Sequence, residues 1–272
     1  MLFAAMNALG MAQTALWLIR HGGEGGDWLN LSALPLAAPY SVGGLRWSPP
    51  AGWIWTIAVV PLGLPLWQAL HLAALALVRD WRVIGLALLS WAFWQDLANG
   101  NLMTLVFVSA WWAIRGNTAG TVAFLALSVL VPRPLMIPVL VWLLVTQPRT
   151  RLWFALLAVL MVALALASGQ MDDWVERLRI DEMGSMWNIG PSRLIGPLWV
   201  PIAVALSTAL AWKGWLGVAS VVISPYIFPY YMLMGLLDLP RLLDGPSGNP
   251  LGRAPWRTPR HRPVARAEAR PE

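Results

Sequence analysis

Leu152-Trp153-Phe154-Ala155-Leu156-Leu157-Ala158-Val159-Leu160-Met161-Val162-Ala163-Leu164-Ala165-Leu166-Ala167-Ser168-Gly169-Gln170-Met171 runs without an Asp, Glu, Lys or Arg. A helix rises about 1.5 Å per residue, so some 20 apolar residues cross about 30 Å of hydrocarbon, and this stretch does so alone. Further uncharged stretches lie at 1–19, 47–78, 83–95, 97–114, 116–132, 134–148, 194–212 and 214–237. Those at 1–19, 194–212 and 214–237 are also long enough for one crossing each. Segment 47–78 carries Pro61 and Pro65 and reads as one kinked span or two short helices meeting at Gly63. Asn99-Gly100-Asn101 reads as a turn between two helices, and Pro132-Arg133-Pro134 splits 116–148. The expectation is an all-α polytopic membrane protein with about eight to ten transmembrane or re-entrant helices.

Composition agrees. Of 272 residues 58% are hydrophobic and 12% charged, 19 are Trp, and mean hydropathy is +0.61. Soluble domains carry about 25% charged residues, so a water-exposed globule is excluded. The chain has no cysteine, which removes disulfides, thiolate metal sites, iron–sulfur clusters and a cysteine nucleophile. His21, His71 and His261 are scattered without metal-ligand spacing. No phosphate-binding loop or Ser-His-Asp set is present. Net charge is +6, but residues 241–272 hold seven arginines against Asp244, Glu268 and Glu272, so most of the basicity is a tail and implies no nucleic-acid partner. Of the 19 basic residues only Lys213 is lysine, a bias expected of a GC-rich bacterial genome.

Residues 1–19 lack a basic start and are apolar over too great a length for a signal peptide, so they read as the first span. Arg79, Arg82, Arg115, Arg149, Arg151, Lys213 and the tail mark the cytoplasmic side of the cell membrane, a bacterial inner membrane. The other side then holds 20–50, the Asn99 turn, Pro132–Pro134 and the connection 169–193. One crossing over 214–237 would leave the tail outside, so either Pro225 and Pro229 fold that segment into a hairpin or the count changes. Residues 1–240 form one membrane domain. Residues 241–272 are too poor in apolar residues to fold and read as a disordered basic cytoplasmic tail near anionic lipid.

Chemistry has few places to sit. His21-Gly22-Gly23-Glu24-Gly25-Gly26-Asp27-Trp28-Leu29-Asn30 puts carboxylates among glycines at the membrane surface. Shielding there raises a carboxyl's basicity for taking a proton from a hydroxyl, although such a loop is also an ordinary solvated one. Asp96 is either an intramembrane functional acid or a group reaching interfacial water. Arg133 suits a phosphate with its bidentate fork, or snorkels to headgroups. Met171 to Ile180 reads as a short interfacial amphipathic helix, after which Asn188 and Arg193 re-enter the membrane where a polar ligand can meet them. Gly116 and Gly120 read as helix-packing residues.

The order of these features resembles a known family. Asp27 after a first span, Pro39-Tyr40, then Arg46-Trp47-Ser48-Pro49-Pro50 is similar to the start of the GT-C glycosyltransferases of the polyprenyl-phosphate-sugar-using, GT87-like group. Downstream, Asn99-Gly100-Asn101, Gly120 to Pro134 and Ser224-Pro225-Tyr226 to Tyr230-Tyr231 look like that group's later landmarks, so the resemblance covers about residues 10–238. Arg133 stands where the group usually has lysine, Tyr230-Tyr231 replaces an acidic or histidine-containing ending, and the chain is short for the family.

The resemblance implies a GT-C-like fold and a mannosyltransferase or related hexosyltransferase working on the outer face of the membrane. It would move a sugar from a polyprenyl-phosphate donor to a lipid or glycan hydroxyl. Asp27 would be the base for the acceptor hydroxyl, as in inverting glycoside chemistry. Arg133, with Arg46 or Arg193, would hold the donor phosphate. Trp28, Tyr40, Asn99, Asn101 and Asn188 would contact substrate. No cofactor is required; a divalent cation stays open, and no acidic pair has convincing spacing for one. The alternatives are a non-catalytic lipid-linked-sugar transporter and a membrane assembly protein working through its tail.

Overall fold

The computed structural model of the chain describes residues 2–20, 28, 32–33, 47–177 and 188–245, and these are helical with no strand among them. Helix α1 covers Leu2–Arg20, α2 the helical run Pro49–Ala76, α3 Trp81–Leu88, α4 Trp91–Asn99, α5 Met103–Ala113 and α6 Thr118–Leu130. Then come α7 (Pro134–Thr146), α8 (Pro148–Ala167), α9 (Met171–Arg177), the run α10 (Ser192–Trp212) and α11 (Leu216–Val222). A 3-10 helix, Pro229–Asp238, leads into α12, Leu239–Asp244.

Of the eight to ten membrane helices expected, three among the described residues, α2, α8 and α10, are long and apolar enough to cross a membrane. Helix α8 shows why. Pro148 sits in its first turn, where its missing N–H costs nothing, and Gly169 follows its end with φ +68°. Leu152, Leu156, Val159 and Leu166 are 60% exposed or more, an apolar exterior that water does not favour and lipid does. Helices α5, α6 and α7 are apolar but shorter, and 11 to 13 residues rise only about 16 to 20 Å.

Two breaks follow from sequence. Gly63, with φ +75° between Pro61 and Pro65, interrupts α2 at the position where the sequence placed the kink or meeting point of 47–78. The second lies at Leu89–Ser90, between α3 and α4. Ser90 caps α4 by accepting from the Phe93 N–H at 3.2 Å, and Asn7 on α1 bonds the Leu89 carbonyl and the Trp91 N–H. A polar side chain on an apolar helix thus satisfies backbone groups that a broken helix leaves open.

Side-chain contacts sort the connections into two ends. At one, Arg82 donates to both Asp244 oxygens at 2.7 and 2.9 Å, the Arg241 guanidinium lies 4.5 Å from the Trp215 ring centre, and Gln147 donates to the Ala113 carbonyl. Arg82 holds the Asp244 carboxyl below its ordinary range by that hydrogen bonding. Partial burial raises Asp80, but hydrogen bonds from Arg82 outweigh it and the carboxyl ends below its ordinary value. This is the end with Arg79, Arg115, Arg149 and Lys213. At the other, Ser48 bonds the Leu130 carbonyl, Arg133 bonds Asn101, and Asn188 bonds the Ile227 N–H. Helices α5, α6, α7, α8 and α10 run between the two.

The last apolar segment is a hairpin. Helix α11 enters from the Lys213 end, Ser224 to Phe228 turns, and the 3-10 helix returns, because the Val218 N–H donates to Asp238 Oδ2 at 2.8 Å. The expected parity conflict is thereby resolved in favour of the hairpin, and Arg241 lies at the Lys213 end, donating to the Lys213 carbonyl. Residues 246–272 of the expected tail lie outside the described residues.

Helix α5 is the centre, with Met103, Phe107 and Ala110 at 0% exposure, packed with Phe93, Phe124, Leu143 and Met234. The packing depends on close approach of the helices. Gly120 permits it on α6, since a Cβ there would lie 2.4 Å from the Trp112 Cβ. Gly116 differs from its expected role. It has φ +78° and nothing near its missing Cβ, so it makes the turn into α6 and packs against nothing.

Candidate functional site

The site grows from the end of α4. Gly100 takes φ +67°, the Gly100 N–H donates to the Leu97 carbonyl at 3.2 Å and the Asn101 N–H to the Asp96 carbonyl at 3.0 Å. These bonds close a Schellman end. Glycine is required twice over there, since a Cβ would also lie 2.9 Å from Trp28 Cε3. The Trp67 indole N–H donates to the Gly100 carbonyl at 3.0 Å. His71, one turn on along α2, is fully buried, with Nε2 2.7 Å from the Asn101 carbonyl oxygen and Nδ1 2.9 Å from that of Trp67.

Asp96 is buried at 0% exposure and looks forward onto α5. Its Oδ1 accepts from the Met103 N–H at 3.0 Å, and its Oδ2 accepts from the Thr104 N–H at 2.8 Å and the Thr104 hydroxyl at 2.6 Å. A carboxylate at a helix start meets open N–H donors and the positive end of the dipole, so Asp96 caps α5 from outside that helix. His71 Nε2 lies 4.0 Å from its Oδ2. Neither reading of Asp96 from sequence anticipated a cap.

Arg133 is half-buried between α6 and α7. Its Nη2 donates to Asn101 Oδ1 and its Nη1 to the Tyr231 hydroxyl, each at 3.2 Å, and its guanidinium carbon is 5.6 Å from the Tyr231 ring centre. Asn101 Oδ1 also accepts the Leu102 N–H at 2.7 Å, which fixes the amide that receives Arg133. Three landmarks far apart in sequence, the Asn99–Asn101 turn, Pro132–Pro134 and Tyr230–Tyr231, therefore meet at one guanidinium.

The remaining candidates fall elsewhere. Trp28 is buried among Trp47, Trp55 and Trp67, with ring centres 5.0 to 5.5 Å apart around Trp55. Asn99 is half-buried at the last position of α4. Asn188, expected at the sugar, is fully buried. Its Oδ1 accepts from the Gly190 and Ile227 N–H groups at 2.9 Å and its Nδ2 donates to Ser192 at 2.8 Å, so it ties the start of α10 to the hairpin turn. Arg193 is exposed on α10 and takes no part in the Arg133–Asn101–Tyr231 bonds. Asp27, Tyr40 and Arg46 lie outside the described residues. Among the described residues no group of three or more His, Cys, Asp or Glu side chains gathers to hold a metal ion.

Sequence reasoning missed His71 and Tyr231 as parts of this centre. Nothing in the spacing of a lone histidine on an apolar helix points to a carbonyl 30 residues on. Tyr231 was visible as a landmark but not as the partner of a residue 98 positions away. Comparison of the chain with family models, with curated proteins and with solved structures finds no match in any of the three.

Proposed function

We propose that the chain is a membrane-embedded GT-C-like glycosyltransferase that moves a sugar, mannose first, from a polyprenyl-phosphate donor to a lipid or glycan hydroxyl on the outer face. What carries the reading is the meeting of three of its resemblance landmarks at Arg133, where Asn101 and Tyr231 hold a half-buried guanidinium. A guanidinium is the group that a phosphate on a lipid carrier calls for. The donor's tail explains the apolar exterior of α2, α8 and α10. The three helices α2, α8 and α10, each long and apolar enough to cross a membrane, support the membrane setting of the proposal.

In the proposed reaction the acceptor hydroxyl attacks the anomeric carbon as Asp27 takes its proton, and the bond to the donor phosphate breaks. The leaving phosphate departs with the electron pair, and Arg133 stabilises its charge. Trp28, next in sequence to Asp27, packs on Gly100, one residue from the amide that holds Arg133. The test is transfer from radiolabelled polyprenyl-phosphate-mannose in membranes holding wild type or Asp27→Asn at equal expression. A loss of about a hundredfold or more is expected for a missing general base. Equal transfer removes Asp27 as base, and no transfer by either protein across several sugar donors overturns the enzyme.

A further inference from the structure

Two arginines stand out at the end of the bundle opposite Arg133. Arg79 follows the last turn of α2 with φ +59°, the one positive value outside glycine among the described residues. That backbone is unfavourable for an L-residue, and helix ends that need it usually carry glycine. Here the residue is an exposed arginine, so the strained position keeps a cation at the surface. Arg115 follows α5 and is half-buried. Its guanidinium carbon lies 3.2 Å from the Trp111 ring centre, and its Nη1 donates to the Trp111 carbonyl at 2.8 Å. The buried Trp111 indole N–H donates in turn to the Val78 carbonyl at 3.2 Å, one residue before Arg79. One tryptophan thus holds the end of α2 by its edge and Arg115 by its face.

Neither cation is neutralised there. Asp80 accepts from the backbone N–H, Nε and Nη2 of Arg82 at 3.0 to 3.4 Å, and Arg82 also takes Asp244. Arg79 and Arg115 make no ion pair among the described residues. Burial pushes the Arg115 guanidinium down to about 10, with the attraction of Asp80 offsetting part of that. An arginine keeps its proton all the same, so its lost hydration stays as an uncompensated charge. The surroundings fix the depth. Leu77 is 55% exposed two residues before Arg79, and Trp81 is 80% exposed two residues after it. An exposed tryptophan beside an apolar helix end belongs at the level of lipid headgroups.

We propose that Arg79 and Arg115, joined through Trp111, form a binding site for the headgroup phosphate of an anionic phospholipid such as phosphatidylglycerol. The site is separate from Arg133 and does not depend on the sugar chemistry proposed above. Nε and Nη2 of Arg115 meet no acceptor among the described residues, and together they are the side of a guanidinium that takes two phosphate oxygens at once. The stack on Trp111 orients that side before the lipid arrives, which lowers the ordering cost of binding. Arg79 adds a second positive charge at headgroup level, where each basic residue strengthens the hold on an anionic lipid.

The test uses the full chain in micelles doped with equal phosphatidylglycerol and phosphatidylcholine, with the retained lipid counted by native mass spectrometry. Wild type is compared with Arg115→Gln, Arg79→Gly and Arg149→Gln, the last replacing an exposed arginine at the same end as a control. Wild type is expected to retain phosphatidylglycerol in preference to phosphatidylcholine. Arg115→Gln is expected to lower that preference about tenfold, the scale of hydrogen bonds at a charged group. Arg79→Gly is expected to lower it about fivefold, the scale of one basic residue at an anionic surface. Because glycine relieves the left-handed backbone, that loss reads the missing cation rather than a damaged fold. Arg149→Gln is expected to change nothing. Equal losses in all three variants would mean diffuse positive charge and no site, and full preference in either Arg115→Gln or Arg79→Gly overturns the pairing. Inorganic phosphate that displaces phosphatidylglycerol from wild type would make the ligand a free phosphate, and wild type without preference removes the site outright.

Discussion

At the scale of single residues, the charges buried in this chain work first as structure. Asp96 answers three donors at the start of α5, and a carboxylate so engaged is poorly suited to carry ions or protons through a membrane, which weighs against the transporter reading. Asp96→Ala leaves the Met103 and Thr104 N–H groups unsatisfied in a buried place and is expected to destabilise by about 2 to 4 kcal/mol. Asp96→Asn keeps one accepting oxygen and is expected to cost about half as much. Reversible unfolding in mixed micelles reads both. A variant Asn protein as unstable as the Ala protein would mean that charge rather than capping matters, and an Ala protein as stable as wild type would remove the cap altogether. The sequence located Asp96 and Arg133 but did not assign their partners, because Met103, Thr104 and Tyr231 reach them only through the path of the backbone.

At the scale of elements, breaks and turns were legible because they are local. Pro61, Gly63 and Pro65 announce the interruption of α2, and Asn99-Gly100-Asn101 announces the end of α4; both lie where proline or glycine geometry puts them. The 3-10 winding of Pro229–Asp238 was not legible, since nothing in its local pattern separates it from an α-helical turn. The same contrast makes two glycines behave oppositely. Gly85 on α3 has open space beside it, so Gly85→Ala gains helix propensity and is expected to stabilise by about 0.5 to 1 kcal/mol. Gly217 on α11 faces the returning 3-10 helix, where a Cβ would sit 2.4 Å from the Met234 carbonyl oxygen and 3.1 Å from Asp238 Oδ2. Gly217→Ala is expected to push the hairpin apart and cost about 1 to 3 kcal/mol despite the same gain in propensity. The same unfolding assay decides, and equal signs for the two substitutions would mean that the two arms of the hairpin are not in contact.

At the scale of the whole molecule, charge counting and geometry divide the chain in the same way. The positive residues Arg82, Lys213 and Arg241 meet at one end, while Trp28, the Asn99 turn and Arg133 meet at the other. Excess arginine and lysine beside membrane segments marks the cytoplasmic face, so the Arg133 end should face outward. The chain has no native cysteine, and single cysteines therefore report position cleanly. Asp172→Cys lies on the exposed face of α9, whose Trp174 packs in the cluster of Trp28 and Trp47, and Leu243→Cys is on α12 beside Asp244, where Leu243 is 55% exposed. With a maleimide that does not cross membranes, Asp172→Cys should react in intact cells and Leu243→Cys only after permeabilisation. Labelling of both from outside would mean that residues 214–238 cross the membrane once, and the hairpin with its Val218–Asp238 bond would fall. The reverse pattern, Leu243→Cys outside and Asp172→Cys inside, would keep the two-ended bundle but turn Arg133 toward the cytoplasm, and the sugar donor would then have to be met on the inner leaflet.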